Sequence, residues 1–505
     1  MDLKHVVMRG IERIHPRIIS GLFRCVEPIP AVKKRIEGEY KGIMGELEKS
    51  VKPYRDSALR FQELPDQGLP RVDVLEEMRR LKRLEDAKWK EGFVSGAVYH
   101  GDESHIGFLN EVYGINSQSN PLHADVWPSS AKYEAEVAAM AGNMLGANTG
   151  SGTGEEICGV VTSGGTESIL LAMKAYRDWA RDRRKITRPE MLIPTTAHAA
   201  FDKAAQYFNI RCIRIPVDEG YRADVEATRR AITKNTAVLV GSAPTFPHGI
   251  IDPIEELSEL ARQRGVGFHT DACLGGFVLP WAEQLGYDIP SFDFRLPGVT
   301  SLSADTHKYG YAAKGTSVIL YRGSELRHYQ YYKTTEWPGG LYCSPTFAGS
   351  RPGALTAACW AAMVSMGARG YLEATKRILE TAAFIKGGIQ RIPELSILGD
   401  PLWVISFGSK ILDIYRVLDG MSERGWALNP LHKPPCVHLC VTLRHTEQGV
   451  AERFLDDLSS TVAYVKENPD VKGGMAPVYG MAARLPLRGV VGELLERYMD
   501  LLYKA

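Results

Sequence analysis

From residue 157 onward, short apolar runs alternate with amphipathic stretches. Residues 158–162, 191–194, 212–216, 237–241, 266–269, 301–304 and 317–321 read as strands. Residues 167–181, 199–208, 224–233 and 254–264 between them read as helices. Apolar strands separated by helices predict an α/β unit with a mainly parallel seven-stranded sheet, covered on both faces. In such a sheet functional side chains gather in the loops beyond the strand ends. Ahead of this unit, residues 1–95 are charged and helix-like. Ile11, Ile14, Ile18 and Leu22 recur at helical spacing, as do Leu75, Met78, Leu81 and Leu84. Pro16, Pro28, Pro30, Pro53, Pro65 and Pro70 break that arm into pieces. Residues 96–130 are polar and aromatic and read as loop; 131–147 read as a helix rich in small residues. The glycine-rich run 148–156 lacks the Gly-Lys-Ser/Thr of a nucleotide-binding loop. After an aromatic, glycine-rich stretch (322–353) a helix is expected over 354–385. Strands at 403–407, 426–428 and 437–443, with helices at 410–424 and 447–466, complete an α+β region. The expected organisation is an arm (1–95), a large domain (96–365) and a small C-terminal domain (366–505), without internal repeats.

Composition narrows the class. The chain has 505 residues, 44% hydrophobic and 24% charged, with a net charge of +1. A near-neutral chain gives no reason to expect nucleic acid as a partner. The eight cysteines are scattered, without zinc-ligand spacing, and a chain this long needs no disulfide framework. Reduced thiols in a reducing compartment are expected. Asp2, Lys4, His5, Arg9, Glu12 and Arg13 leave no apolar core for a signal peptide. No run of about 18 apolar residues occurs, so a soluble, cytoplasmic chain is expected.

Four features carry chemistry. In residues 161–168, Val-Thr-Ser-Gly-Gly-Thr-Glu-Ser, a strand enters a glycine turn and a helix begins. Free amides and the helix dipole there suit a phosphate, although a plain capping turn has the same form. His198 follows a strand between alanines; it can stack on a flat ring or simply start the next helix. Asp271 ends the run Phe268-His269-Thr270-Asp271-Ala272-Cys273. It suits a protonated pyridine nitrogen, a helix cap or a metal. His269 and Asp271 share a face only if the strand continues, and no third ligand is evident, so no metal is expected. Lys308, in Ser303-Ala304-Asp305-Thr306-His307-Lys308-Tyr309-Gly310, would alone read as a solvated lysine. Phosphate turn, stacking histidine, aspartate and lysine, in this order and each beyond a strand, together point to pyridoxal 5'-phosphate. Lys308 is then the Schiff-base lysine and Asp271 the partner of the ring nitrogen.

The chain resembles the fold-type I pyridoxal phosphate enzymes of the group II decarboxylase superfamily, and within it the sphingosine-1-phosphate lyase family. The residues that carry the likeness are 161–168, 198–208, 246–253 (FPHGIIDP), 269–277 (HTDACLGGF), 298–315 (GVTSLSADTHKYGYAAKG) and 348–353 (AGSRPG). It runs from about residue 95 to near the C-terminus. The resemblance implies that Lys308 carries the cofactor, Asp271 pairs with its ring nitrogen and His198 stacks on it. Gly165, Thr166 and His307 would hold its phosphate, with Ser350 donated by a second subunit of a homodimer. Tyr99, Asn120, His123 and Lys314 would line the substrate side and receive the phosphate of a phosphorylated sphingoid base. The implied reaction is a retro-aldol cleavage of the C2–C3 bond to a long-chain aldehyde and phosphoethanolamine. An L-amino-acid decarboxylase on the same scaffold, or a non-catalytic adaptor keeping the fold, are the alternatives. Animal members carry a membrane-spanning N-terminal segment that this chain lacks, which suggests a soluble bacterial-type enzyme with peripheral membrane contact. A tyrosine in place of Phe246 would set a hydroxyl near the site, and the 148–156 loop is longer than in animal members.

Overall fold

The computed structural model describes residues 30–148, 155–469 and 488–504. Ile11, Ile14, Ile18 and Leu22, and most of the glycine-rich run 148–156, lie outside the described residues. The arm contains helices α1 (Pro30–Val51) and α2 (Arg71–Lys90), with Pro53, Pro65 and Pro70 between them. α2 has the periodicity expected of Leu75, Met78, Leu81 and Leu84, yet it buries no residue. The stretch 96–130, expected as loop, holds helix α3 (Glu103–Asn116). Asp102 caps α3 by accepting the His105 amide at 2.8 Å. Helix α4 (Pro128–Met144) follows.

The large sheet is built from β1 (Ile157–Thr162), β2 (Glu190–Pro194), β3 (Arg211–Ile215), β4 (Thr236–Ser242), β5 (Gly267–Asp271), β6 (Ser301–Ala304) and β7 (Ser317–Arg322). Its order is β1-β7-β6-β5-β4-β2-β3. The pairs β2–β3, β2–β4, β4–β5 and β5–β6 are parallel, while β7 runs antiparallel to both β1 and β6. This is the mainly parallel α/β sheet expected. Helices α5 (Gly165–Arg184), α6 (Ala200–Phe208), α7 (Val225–Ala231) and α8 (Ile254–Gln263) connect its strands. Every residue of β2, β4, β5, β6 and β7 is buried, the consequence of helical cover on both faces. Register brings the functional loops together. Thr162 at the end of β1 pairs with Ser317 at the start of β7, and Asp271 at the end of β5 pairs with Ser303 near the end of β6.

A small hairpin of β8 (Tyr332–Thr334) and β9 (Tyr342–Ser344) precedes helix α9 (Gly353–Gln390), which breaks at Gly367 (φ 58°). α3 packs against α9. A four-stranded antiparallel sheet follows, ordered β10 (Ser396–Ile397), β11 (Val404–Gly408), β13 (Cys436–Cys440), β12 (Asn429–Leu431). It carries α10 (Ile414–Glu423) and α11 (Val450–Glu467). The strand expected at 426–428 lies instead at 429–431. Trp426 is drawn into the core, edge-on to Phe93 at 4.8 Å and Phe454 at 5.1 Å. Cys158, Cys212, Cys273, Cys343, Cys359, Cys436 and Cys440 are free thiols. Among the described residues no helix is long and apolar enough to cross a membrane.

Candidate active site

The loop 305–316 joins β6 to β7 and carries Lys308. Its course is pinned from several sides. The Ala312 amide donates to the Thr306 carbonyl at 3.0 Å, and Tyr371 donates its hydroxyl to the Gly310 carbonyl at 2.9 Å. Tyr309 reaches the C-terminal sheet and donates to the Val441 carbonyl at 2.6 Å. Gly310 is required: a Cβ there would meet the Thr306 carbonyl oxygen at 2.5 Å. So held, Lys308 turns into a cavity of about 370 Å³. Ser163 to Glu167, His198, Phe246, Asp271, Cys273, Asp305, His307 and Lys314 stand in the same wall.

Inside, the Lys308 ammonium pairs with Asp305 at 2.9 Å. Burial opposes both charges, but their attraction prevails: Asp305 is held below the usual carboxylate range and Lys308 above the usual lysine range. Asp305 escaped the sequence reading, which gave the carboxylate role to Asp271 alone. Its signal was the acid three residues before the lysine in a turn. The second oxygen of Asp305 and the Thr306 hydroxyl are buried without a hydrogen-bond partner.

The glycine turn faces the cavity. Gly164 has φ 152°, and a Cβ there would meet only His307 Cε1, at 4.0 Å, so its cavity side is open. Gly165 is closed on its inner side, where a Cβ would lie 2.6 Å from Asp305 Oδ1 and 2.7 Å from Cys273 Sγ. It opens α5, with Thr166 exposed beside it. Glu167, an acid in this first turn, is occupied elsewhere: its oxygens accept the amides of Ser163 at 2.6 Å and Phe347 at 3.1 Å. His307 Nδ1 donates to the Thr316 carbonyl at 2.5 Å, leaving Nε2 free to face the turn. Burial holds its imidazole below the usual histidine range.

Asp271 is the last residue of β5, not a loop residue beyond it. Its Oδ1 accepts the Cys273 amide at 3.1 Å. His198 is exposed, and its Nδ1 accepts the Ala200 amide at 3.1 Å. It therefore leads into α6, and it also lines the cavity. Phe246 stands edge-on to His198 at 5.9 Å and to His438 at 4.8 Å.

The substrate-side candidates divide. Lys314 lines the cavity with its ammonium 4.6 Å from the centre of the Tyr99 ring. Tyr99 is itself buried edge-on to Tyr309 at 4.8 Å. Asn120, His123 and Ser350 do not line the cavity. They form a second cluster, in which Asn120 Nδ2 donates to Ser350 Oγ at 3.0 Å, and the exposed His123 packs edge-on to Trp127 at 6.4 Å. Arg351 fixes this cluster. It makes a two-pronged ion pair with Glu134, both contacts 2.9 Å, and its amide donates to Asn120 Oδ1 at 3.2 Å.

Pyridoxal phosphate asks for an amine, a carboxylate for its ring nitrogen, a flat partner for its ring and donors for its phosphate. The cavity offers Lys308, Asp271, His198 and the open glycine turn with His307, and the partnerless Thr306 hydroxyl lies in the same loop. The residues fit the group. Fold and site together define a pyridoxal phosphate-binding enzyme of the decarboxylase type. The family model described as "Pyridoxal-dependent decarboxylase conserved domain" matches residues 53–404. Sphingosine-1-phosphate lyase of Arabidopsis thaliana is 49% identical over 98% of this chain and 90% of its own length. That of Saccharomyces cerevisiae is 43% identical over 96% and 82%. The solved sphingosine-1-phosphate lyase of Burkholderia pseudomallei K96243 superposes with a TM-score of 0.83 at 43% identity, covering 90% of this chain and 99% of that one. The chain belongs to the pyridoxal-dependent decarboxylase family and, within it, to the sphingosine-1-phosphate lyases. A Lactobacillus brevis glutamate decarboxylase, at 19% identity and a TM-score of 0.70, shares the fold.

Proposed function

We propose that this protein cleaves the C2–C3 bond of phosphorylated sphingoid bases such as sphingosine 1-phosphate. The observation that carries the reading beyond the family is the pair of lysines in one cavity. Lys308 has Asp305 for a counter-ion. Lys314 forms no ion pair among the described residues and sits on the Tyr99 ring, a cation awaiting an anion. A phosphate on the substrate supplies that anion.

In the net reaction the C3 hydroxyl loses its proton and becomes the carbonyl of a long-chain aldehyde. C2 gains a proton, and phosphoethanolamine remains. When bound, pyridoxal phosphate supplies a carbonyl that joins amines and a ring that withdraws electrons from the breaking bond. The amides of Gly165 and Thr166, the Thr166 hydroxyl and His307 hold the cofactor phosphate. His198 covers the ring face, and Asp271 holds a proton on the ring nitrogen. Lys308 would tether the group through its amine. Lys314 and Tyr99, with His123 and Asn120, seat the substrate phosphate and fix the C2–C3 bond relative to the ring.

The exposed cluster of Asn120, His123 and Ser350 supports a homodimer in which these residues serve the partner's cavity. The uncovered apolar residues of α2 support the same assembly, and peripheral contact with the membrane that holds the substrate. The three-part domain division, with the large-to-small boundary near the break at Gly367, and a cytoplasmic location suited to free thiols belong to this reading.

Mass spectrometry of sphingosine 1-phosphate incubated with pyridoxal phosphate-loaded protein should detect a long-chain aldehyde and phosphoethanolamine. Lys308→Ala should abolish both products and the visible absorbance of the bound cofactor. Release of CO2 from L-amino acids, with no aldehyde from the phosphorylated base, would overturn the proposal.

A further inference from the structure

We propose that His269 is a positioning residue that orients the carboxylate of Asp271 through Ser303. The inference rests on the reading above, that Asp271 faces the ring nitrogen of pyridoxal phosphate. Because β5 continues to Asp271, His269 and Asp271 lie on one face of the sheet. The parallel register puts Ser301 opposite His269 and Ser303 opposite Asp271. The four side chains form a ladder across the two strands. Ser303 Oγ lies 3.5 Å from Asp271 Oδ1, to which it donates, and 3.2 Å from His269 Nε2. His269 Nδ1 lies 2.7 Å from Ser301 Oγ, and Ser301 Oγ lies 2.7 Å from the Tyr176 hydroxyl. Tyr176, at the far end on α5, gives its one hydroxyl proton to Ser301, and its oxygen can accept from Thr300 Oγ1 at 2.7 Å. His269, Ser301 and Ser303 are wholly inaccessible, and Asp271 is 6% exposed.

The proton count gives this ladder a direction. Ser303 has one hydroxyl proton and gives it to Asp271. Its oxygen must then accept from its other neighbours, His269 Nε2–H and the Cys273 thiol at 3.4 Å. That fixes His269 as the Nε2–H tautomer, so its Nδ1 accepts the Ser301 proton. Burial keeps the imidazole neutral, pulling it down to about 4. The ladder therefore delivers aligned dipoles to Asp271 without adding a second buried charge. An apolar side chain would fill the same space with no hydrogen bonds to satisfy. The polar ladder is explained by its terminus: donors that end on Asp271 orient its carboxylate towards the facing ring nitrogen, whose proton it would hold.

The test loads wild type, His269→Leu, His269→Gln and Ser303→Ala with pyridoxal phosphate labelled with 15N in the ring. It reads the ring-nitrogen chemical shift, which separates the protonated from the unprotonated form, and the cofactor Kd. The wild type should show the protonated form. Ser303→Ala should move the resonance towards the unprotonated form and weaken binding about tenfold, the effect of losing one hydrogen bond to a charged group, and His269→Leu should move it the same way by less. His269→Gln should restore the wild-type resonance, since its amide N–H can replace the Nε2 donor. Should His269→Leu fail to fold, Ser303→Ala, which removes a single hydroxyl, decides. A wild-type resonance in the loaded His269→Leu or Ser303→Ala protein overturns the inference. An unprotonated nitrogen in the wild type instead overturns the Asp271 reading, and this inference with it.

Discussion

Two ammonium groups share one cavity, and their surroundings drive them in opposite directions. Asp305 neutralises Lys308 at 2.9 Å. Lys314 has no such carboxylate. Its side chain as a whole reaches solvent, but protein crowds its ammonium, and the like charge of Lys308 adds to that, pulling it down to about 8. Competitive acylation of the cofactor-free protein across pH should therefore label Lys314 with a midpoint near 8, ahead of ordinary surface lysines and well ahead of Lys308. A Lys314 that titrates with the surface lysines would refute the arrangement. Asp305→Asn should bring Lys308 into the labelled set at lower pH, because the charge holding its proton is gone. The motif made Lys308 and Lys314 legible and its family resemblance gave one to the cofactor and the other to the substrate, but not the opposite electrostatic surroundings of the two. That depends on which lysine Asp305 reaches, and a turn in sequence does not say whether an acid points inward.

At the scale of elements, the strands were legible because burial on both faces leaves nearly continuous apolar runs, and register then places the loops. Connections decided by tertiary contact were less so. Helix α3 is only weakly amphipathic and buries Leu109 alone, so its apolar residues form no one-sided helical stripe that the sequence would reveal. Trp426 looked like strand because it is large and apolar, but it packs as a plug between Phe93 and Phe454. The 348–353 motif was recognisable without its reason, which is the clamp. Arg351 and Glu134 are each 14% exposed in the side chain, and both also bind β1: Glu134 accepts the Val161 amide at 3.1 Å and Arg351 donates to the Val161 carbonyl at 3.3 Å. Arg351→Ala leaves a mostly buried carboxylate without its cation. Removing one partner of a buried pair costs about 3–5 kcal/mol, and residual solvent contact brings the expectation to about 2–4 kcal/mol. Chemical denaturation should show that loss, together with weaker cofactor retention as the Ser350 loop loses its anchor. Unchanged stability would mean that the clamp is a surface ion pair of little weight.

The whole molecule poses the question of which chain completes which cavity. Asn120 is hydrogen-bonded to the Arg351 amide, to Ser350 and to the His123 amide, yet all three of Asn120, His123 and Ser350 stand outside their own chain's cavity. α2 meanwhile leaves Val72, Leu75, Met78 and Leu84 exposed. A twofold dimer would cover such a face and carry the preformed cluster to the neighbouring site, because an isologous interface makes every contact twice. Complementation tests the exchange. Lys308→Ala removes the cofactor lysine from its own chain. Ser350→Asp puts a negative charge where the proposal has a hydroxyl meeting the cofactor phosphate, and like charges repel. Each variant alone should be inactive. If Ser350 serves the partner, a mixed dimer holds one intact site, with Lys308 from the Ser350→Asp chain and Ser350 from the Lys308→Ala chain. Random reassortment of equal amounts makes half the dimers mixed, so activity should return to about a quarter of wild type. If Ser350 serves its own chain, both sites of every mixed dimer are damaged, and no activity returns. The reassortment itself is confirmed by differently tagged subunits that co-purify, so silence in the assay would count against the shared site and not against mixing.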